Sequence, residues 1–292
     1  MRQRVVLLTR ATAKQAFVAR YGSEGQTKFA MAQSVRGRAD FAKAEVEDTA
    51  QSRAVLRIRK ALPADMKLAE IDRGMVAQFL FEPHDLVVAV GQDGLVANVG
   101  KYLDGQPVVG VNPDPETIDG ALLAFNADTF IASLRDVLGD RRPMREATLA
   151  QAQTTDGQVL RGLNDLFVGV VTHQSARYRI RFGAAEEVQS SSGLIVSTGT
   201  GSTGWLKSLR GPDAQFDPAA DELHFVVREA WPGRGFGATI VEGRVTRAEP
   251  LQIESRMEGT IFADGIEADA VRFDAGVSVT IAPAERRVRL VV

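Results

Sequence analysis

One carboxylate, Asp93, stands in a glycine turn directly after an apolar run. Residues 86–90 (LVVAV) are apolar and mostly β-branched, which predicts a strand that is buried on both faces. Gly91-Gln92-Asp93-Gly94 follows, and apolar residues then continue at helical spacing to Leu103. Open parallel sheets bind ligands at the carboxyl ends of their strands, and helix N-termini attract phosphates. The turn therefore predicts a ligand site, and the alternative interpretation is an Asp that only caps the helix.

A second stretch combines glycines with hydroxyl side chains. The predicted strand over residues 193–197 leads into the turn Ser197–Gly204, which contains five hydroxyls and three glycines. A short helical run, Trp205–Leu209, follows. Small residues, hydroxyls and backbone amides can hold a ribose or a phosphate. Two alternatives stay open, namely a purely structural turn and a Rossmann turn, because the letters also match G-x-G-x-x-G.

Two shorter polar pairs are weaker candidates. Asn164-Asp165 opens an apolar strand, and Asp264-Gly265 lies in IFADGIEAD. Taken alone, the first pattern is typical of a turn and the second of a β-hairpin. The three histidines have no ligand spacing, so no metal site built by the protein is predicted; they are His84, His173 and His224.

The surrounding elements predict two domains of different character. Strands and helices alternate up to a closing segment at residues 139–143, and mostly strands with intervening turns follow. We expect an α/β domain with a parallel sheet over residues 1–142 and a β-rich domain over residues 143–292. Whether the last strands return to the first domain stays open. Two local expectations are a short strand in the stretch that begins at Ala54 and an amphipathic helix over Ile71–Phe81.

The composition limits the classes of function. The chain has 292 residues, of which 45% are hydrophobic and 25% charged, as in ordinary globular proteins. A formal net charge of -2 gives no electrostatic argument for nucleic acid or a membrane surface as a partner. The absence of cysteine excludes disulfides and is consistent with a reducing cytoplasm. No stretch approaches the roughly 20 apolar residues of a membrane span, so a cytoplasmic protein is expected.

Together these stretches resemble the NAD kinase family, within the larger group of kinases that share a Gly-Gly-Asp-Gly turn. The order and spacing agree from about Leu86 to the C-terminus, and the first 80 residues match weakly. The most specific match is the hydroxyl-rich stretch, which is similar to the family's Thr-Pro-Thr-Gly-Ser-Thr-Ala-Tyr motif. The matching stretches are Gly91–Gly94, Pro107–Asn112, Asn164-Asp165 in place of Asn-Glu, Gly193–Trp205 and Asp264-Gly265.

The resemblance implies an α/β domain followed by a β-rich domain, and transfer of the γ-phosphoryl group of ATP to the 2′-hydroxyl of the adenosine ribose of NAD. Asp93 would lie by that hydroxyl as general base or as an organiser of metal and phosphate. Mg²⁺ would arrive with ATP, and a homodimer or homotetramer is implied. The nucleotide-binding residues would be Gly91, Gln92, Gly94, Asn112, Asn164, Asp165, Thr198, Thr200, Gly201, Ser202, Thr203 and Asp264.

The sequence also departs from the family pattern. Gln92 stands where the turn has its second glycine, and Asp165 where the family has Glu. Ser191-Ser192 stands in place of Gly-Asp, and residues 112–116 (NPDPE) replace a glycine-rich loop. Two other functions therefore stay open: a lipid or other small-molecule kinase of the same group, and a nucleotide-binding sensor without catalysis.

Overall fold

The chain divides into two units, each with its own core. The computed structural model describes residues 2–292, except for the side chains of residues 266–268. Unit 1 comprises residues 2–145 and 289–292, and unit 2 comprises residues 146–288. The apolar core of unit 1 includes Ile58, Val88 and Phe130, whereas that of unit 2 includes Ile180 and Phe225.

Unit 1 is built on a parallel sheet with helices. The sheet order is β2-β1-β3-β4, and every neighbouring pair is parallel. β5 also pairs in parallel with β4, as do Arg289 and Leu290 near the C-terminus. The elements are β1 (Arg4–Thr9), α1 (Ala13–Tyr21), α2 (Glu24–Ala32), α3 (Val35–Ala61), β2 (Lys67–Asp72), β3 (Asp85–Val90), α4 (Asp93–Gly100), β4 (Pro107–Asn112), β5 (Phe125–Asn126) and α5 (Ala127–Leu138).

The two central strands of unit 1 are buried on both faces, which explains the apolar runs in their sequences. All six residues of β3 and all six of β4 are buried. A strand that is covered on both faces has no solvent side on which polar residues could alternate. The predicted buried strands before the Asp93 turn and at residues 108–111 are confirmed, and β3 ends at the residue before Gly91.

Unit 2 consists mainly of antiparallel strands. One sheet has the order β13-β12-β11-β8-β15-β16, and the other contains β10-β9-β14-β17 with β6 and β7. Side chains from both sheets form one core cluster. The elements are β6 (Met144–Thr154), β7 (Val159–Gly162), β8 (Asp165–Gly169), β9 (Ala176–Phe182), β10 (Ala185–Ser191), β11 (Leu194–Ser197), α6 (Trp205–Arg210), β12 (Leu223–Val227), β13 (Glu242–Val245), β14 (Leu251–Ser255), β15 (Thr260–Ala263), β16 (Ile266–Arg272) and β17 (Ser278–Val291). The predicted fold class, α/β with a parallel sheet and then β-rich, is confirmed.

The prediction of a short strand in the stretch that begins at Ala54 is wrong, because this stretch is the last part of α3. Ala54 and Ile58 are buried, and their spacing of four residues places both on one helical face. Arg57 and Arg59 instead lie on the exposed side, where they pair with Asp128 and Glu70. Their alternation along the sequence matched a strand pattern by coincidence.

The prediction of an amphipathic helix over Ile71–Phe81 is also wrong. Ile71 belongs to β2, and a single 3₁₀ stretch, Arg73–Gln78, follows. The Asp72 side chain accepts a hydrogen bond from the amide of Gly74 at 2.8 Å, which begins that tighter turn. Met75 is exposed rather than part of a core face.

Candidate functional site

The Asp93 carboxylate is held by backbone amides of a loop, not by its own helix. Asp93 is the first residue of α4, directly after the carboxyl end of β3. Its Oδ2 accepts a hydrogen bond from the amide of Ala121 at 2.8 Å, and its Oδ1 accepts one from the amide of Leu122 at 3.0 Å. Each oxygen has one partner, so the carboxylate has a defined orientation. The interpretation of Asp93 as only a helix cap is therefore wrong.

Burial makes Asp93 a better proton acceptor. The side chain is half-buried, and loss of water raises the pKa of its carboxyl above the ordinary value. The hydrogen bonds from Leu122 and Ala121 favour the ionised form and act in the opposite direction. Burial is the larger effect. A carboxylate with a raised pKa and unused acceptor positions is suited to take a proton from a hydroxyl.

Gln92 fits the turn without backbone strain. It precedes α4 with φ −95° and ψ 163°, an ordinary extended conformation that any residue adopts. The second position of the turn therefore does not require glycine in this chain. Gly91 is buried, and Gly94 is exposed with no atom close to where a Cβ would lie.

The predicted site residue Asn112 lies at the end of β4, beside a cavity of unit 1. Its Nδ2 donates to the carbonyl of Ile118 at 2.7 Å, and its Oδ1 accepts from the amide of Asp114 at 2.9 Å. The cavity has a volume of about 570 Å³ and is lined by residues of α3, by residues 112–115 and by residues 126–128. Arg57 and Asp128, both in its wall, form an ion pair with each other.

In unit 2, the Asp264 carboxylate accepts hydrogen bonds from the main chain at the start of β8. Oδ1 accepts from the amides of Asn164 at 2.6 Å and Asp165 at 3.3 Å, and Oδ2 accepts from the amide of Leu163 at 3.0 Å. The amide of Asp264 in turn donates to the carbonyl of Asp165 at 3.0 Å. Asp264 lies in the turn between β15 and β16 with φ 56°, a left-handed conformation that Asp tolerates better than most residues. The structure thus brings the two weaker candidates together.

Asp165 is a buried carboxyl beside a second acid. Its residue exposure is 8%. Burial, and secondarily the charge of Asp264, raise the pKa of Asp165 to about 7. A carboxyl in that range changes its charge near neutral pH, so it can accept a hydrogen bond as an anion or donate one as an acid.

The hydroxyl-rich turn after β11 is held together by two of its own hydroxyls. Thr198 and Ser202 are fully buried. Thr198 Oγ1 donates to the carbonyl of Leu163 and accepts from the amide of Gly201 at 3.2 Å. Ser202 Oγ donates to the carbonyl of Gly199 at 2.6 Å. These two hydroxyls therefore build the turn and, in this structure, face the chain itself.

The glycines of this turn allow backbone segments to approach each other. A Cβ at Gly201 would lie 2.0 Å from the carbonyl oxygen of Asn164, and one at Gly199 would lie 2.1 Å from that of Asp217. Both distances are far inside van der Waals contact. The turn accordingly lies directly against the Asn164-Asp165 segment.

Two other hydroxyls of the turn have a different environment. Thr203 is exposed, and Thr200 Oγ1 is buried without a hydrogen-bond partner among the described residues.

β11 is flanked on both sides by antiparallel strands, β8 and β12. The Rossmann alternative is therefore wrong, because that turn requires a parallel βαβ unit.

Sequence reasoning missed three residues of the loop that holds Asp93: Gly120, Ala121 and Leu122. The last two act through main-chain amides, which every non-proline residue has. The one available signal was Gly120 itself, a glycine shortly after a Pro-containing loop.

The part of the chain that the structure describes contains neither a candidate metal centre nor a candidate membrane-spanning helix. No group of three or more His, Cys, Asp or Glu residues among the described residues could hold a metal ion. Among the described helices, none combines the length and apolar character needed to cross a bilayer.

Comparison with known proteins gives relatives for part of the sequence and a fold for nearly all of it. The chain is 32% identical over 143 residues to an NAD kinase of Thermococcus kodakarensis, which covers 47% of this chain and 49% of that protein. It is 32% identical over 136 residues to an NAD kinase of Clostridium tetani, covering 44% and 48%. The chain thus spans about half the length of the curated relatives it matches. No protein-family model matches it.

A solved structure matches over a much larger share. A crystal structure of an NAD kinase from Archaeoglobus fulgidus in complex with ATP has a TM-score of 0.62 and 17% sequence identity, and the match covers 99% of this chain and 93% of that chain. At this identity the likeness establishes the fold. The resemblance to NAD kinases is therefore confirmed, in sequence over about half of the chain and in fold over nearly all of it.

Proposed function

We propose that the chain is a phosphotransferase of the NAD kinase type. It moves the γ-phosphoryl group of ATP to the 2′-hydroxyl of the adenosine ribose of NAD or NADH. The hydroxyl oxygen forms a bond to the γ-phosphorus, the bond from that phosphorus to the β–γ bridging oxygen breaks, and ADP leaves. The hydroxyl proton passes to the Asp93 carboxylate. ATP enters as its Mg²⁺ complex, which neutralises charge on the phosphates.

The geometry of Asp93 is the observation that supports this proposal. The carboxylate follows a buried strand of a parallel sheet, where ligands bind in such folds. Two amides orient it, and burial raises its pKa. Phosphoryl transfer depends mainly on positioning and charge neutralisation, so one oriented base is sufficient chemistry for the protein to supply.

In unit 2, the Asn164-Asp165 segment and the turn after β11 are proposed to bind a nucleotide. Asp165 offers a carboxyl to ribose hydroxyls, and Thr200 offers a buried hydroxyl that has no partner among the described residues. Asp264 holds the amides of this segment in place. The side chains of Thr198 and Ser202 contribute by building the turn.

The experiment is an acceptor assay on the purified chain with Mg²⁺ and ATP. ADP release is measured with NAD, with NADH and without acceptor, and NADP or NADPH is quantified in the same samples. We expect ADP and the phosphorylated dinucleotide in equal amounts. Asp93→Asn should lower kcat by roughly 10²- to 10⁴-fold, the usual contribution of a general base.

Asp65→Asn is the matched control, because it makes the same chemical change at an exposed residue of unit 1. It should leave kcat unchanged. Tight nucleotide binding without ADP release would contradict the proposal and favour a sensor. ADP release with a lipid alcohol, but not with NAD or NADH, would favour a lipid kinase.

Homodimeric or homotetrameric assembly, which rests on the resemblance alone, and a cytoplasmic location, which rests on the composition, are further parts of the proposal. Sedimentation of the purified chain at several concentrations tests the assembly. A single species of 31.5 kDa at every concentration would contradict it.

A further inference from the structure

The loop of residues 113–122 is seated against β4 through a glycine. A Cβ at Gly110 would lie 2.2 Å from the carbonyl oxygen of Leu122, so any larger residue would push the end of the loop away. Gly110 lies in the buried part of β4. The end of this exposed loop is therefore in direct contact with the core strand next to β3.

Asn112 fixes the start of the same loop. Its side-chain amide makes two hydrogen bonds, one with the amide of Asp114 and one with the carbonyl of Ile118, six residues after Asn112. Thr117 Oγ1 donates to Asp114 Oδ2 at 2.6 Å, and the amide of Ile118 donates to the carbonyl of Asp114 at 3.0 Å. The loop thus has its own bracing and does not rely on a regular element.

Gly120 lets the loop reach the carboxylate. A Cβ at this residue would lie 2.8 Å from Asp93 Oδ1 and 2.5 Å from Leu123 Cδ1. The amides that bind Asp93 belong to the next two residues, Ala121 and Leu122. A side chain at residue 120 would therefore displace either these amides or the carboxylate.

We propose that the 113–122 loop is the device that orients Asp93, with Gly120 and Asn112 as its positioning residues. The catalytic consequence rests on the proposed function, whereas the contact itself does not. Each carboxylate oxygen has about two acceptor positions. The loop amides occupy one acceptor position on each oxygen. The remaining acceptor positions point away from the loop, toward an approaching hydroxyl.

The amides have a second effect that can be measured. They favour the ionised carboxylate and so oppose the rise in the pKa of Asp93 that burial causes. Loosening the loop should therefore raise this pKa further. It should also lower kcat, because the base is no longer aligned, while the KM for ATP changes little.

The first test uses the unmodified chain. The side-chain carboxyl of Asp93 and the amides of Ala121 and Leu122 are followed by NMR from pH 4 to 9. We expect all three signals to titrate together, and the titration of the two amides to disappear in Asp93→Asn. Amides that do not follow Asp93 would overturn the proposal without any need for a variant of the loop.

The second test uses Gly120→Ala, with Gly25→Ala as the matched control. Gly25 lies exposed in α2 of the same unit, and a Cβ there meets no atom within 4 Å. We expect Gly120→Ala to lower kcat roughly 10- to 100-fold and to shift the acidic limb of the kcat profile to higher pH. The control should change neither quantity. An unchanged kcat and an unchanged pKa of Asp93 in folded Gly120→Ala would overturn the proposal.

Ala121→Pro is the second variant, because it removes one of the two donors and adds no bulk at residue 120. It should raise the pKa of Asp93 by less than Gly120→Ala does. Failure of the proposed function is recognised separately. In that case the unmodified chain forms no NADP or NADPH, and the NMR measurements on Asp93 still decide whether the loop positions it.

Discussion

Asp93 in unit 1 and Asp264 in unit 2 are both carboxylates bound by consecutive backbone amides, but the two segments differ in what the contact holds. Two amides from an exposed loop bind Asp93, at 2.8 and 3.0 Å. Three successive amides at residues 163–165 bind Asp264, at 2.6 to 3.3 Å. Asp264 also donates its own amide back to that segment. The second contact therefore fixes main chain, and the first fixes a side chain.

The electrostatic surroundings also differ. Burial dominates the raised pKa of Asp93, and hydrogen bonds oppose it. Near Asp264 there is a second acid, Asp165, whose pKa is raised by burial and then by the neighbouring charge. One motif, a carboxylate on successive amides, thus either holds a main-chain segment in place or orients a side chain. Number of amides, exposure and neighbouring charge distinguish the two uses.

Removal of each carboxylate should produce the largest difference in stability between the two segments. Asp264→Ala leaves three amides without their acceptor and should lower the free energy of unfolding by about 3 to 4 kcal/mol. Asp93→Ala leaves two amides that belong to a more exposed loop and should cost about 1 kcal/mol. Urea unfolding of both variants measures the difference. Equal losses would mean that Asp93 is also a framework residue.

The acid beside Asp264 supplies the next test. The pKa of Asp165 in the folded chain is about 7, above the ordinary value of 3.8, so the folded state holds its proton more tightly than the unfolded state. The sign follows: this carboxyl favours folding at low pH, and its contribution is lost as the pH rises through 7. Asp165→Asn cannot ionise. Relative to the unmodified chain, this variant should therefore gain more free energy of unfolding at pH 8 than at pH 5, and the difference should be about 2 to 3 kcal/mol.

Urea unfolding at the two pH values measures this effect. Asp65→Asn is the matched control, since Asp65 is exposed. A gain from Asp165→Asn that is the same at pH 5 and pH 8 would show that Asp165 ionises normally. In that case neither burial nor the charge of Asp264 would perturb the pKa of Asp165, and the electrostatic half of the comparison would fail.

The sequence supports prediction of those parts that burial alone determines. β3 and β4 lie between layers on both faces, so their apolar runs have a single interpretation. The change from helices to strands likewise indicates two units. The end of α3 could not be read correctly, because only the packing of Ala54 and Ile58 shows which face of this stretch is buried.

The candidate site shows a different limit. Asp93 and the hydroxyl-rich turn stand out in the sequence because their residue types are unusual there. Their partners do not, because the groups that hold Asp93 are the main-chain amides of Ala121 and Leu122. The glycines of the turn were also ambiguous. Gly201 suggests a ligand contact from sequence, but its immediate neighbour is the backbone of Asn164.

Added methyl groups at Gly201 and Gly120 should destabilise the two segments to different extents. In Gly201→Ala the new Cβ would lie 2.0 Å from a backbone oxygen of Asn164, which cannot move without disturbing β8. We expect a loss of about 2 to 3 kcal/mol. In Gly120→Ala the clashing atoms are side-chain atoms of Asp93 and Leu123, which can shift. The loss there should be about 1 kcal/mol. A reversed order in thermal or urea unfolding would contradict this assignment.

The smallest expected effects separate structural hydroxyls of the turn from one available to a nucleotide. Thr198→Val removes the hydroxyl that contacts Leu163 and Gly201 and should cost about 1 kcal/mol. Thr200→Val replaces a buried oxygen that has no partner among the described residues, so stability should not fall and should rise by up to about 1 kcal/mol. If Thr200 contacts the ligand, nucleotide affinity measured by calorimetry should fall more in Thr200→Val than in Thr198→Val. An unchanged Kd in Thr200→Val would remove that residue from the proposed nucleotide site and leave the turn as framework alone.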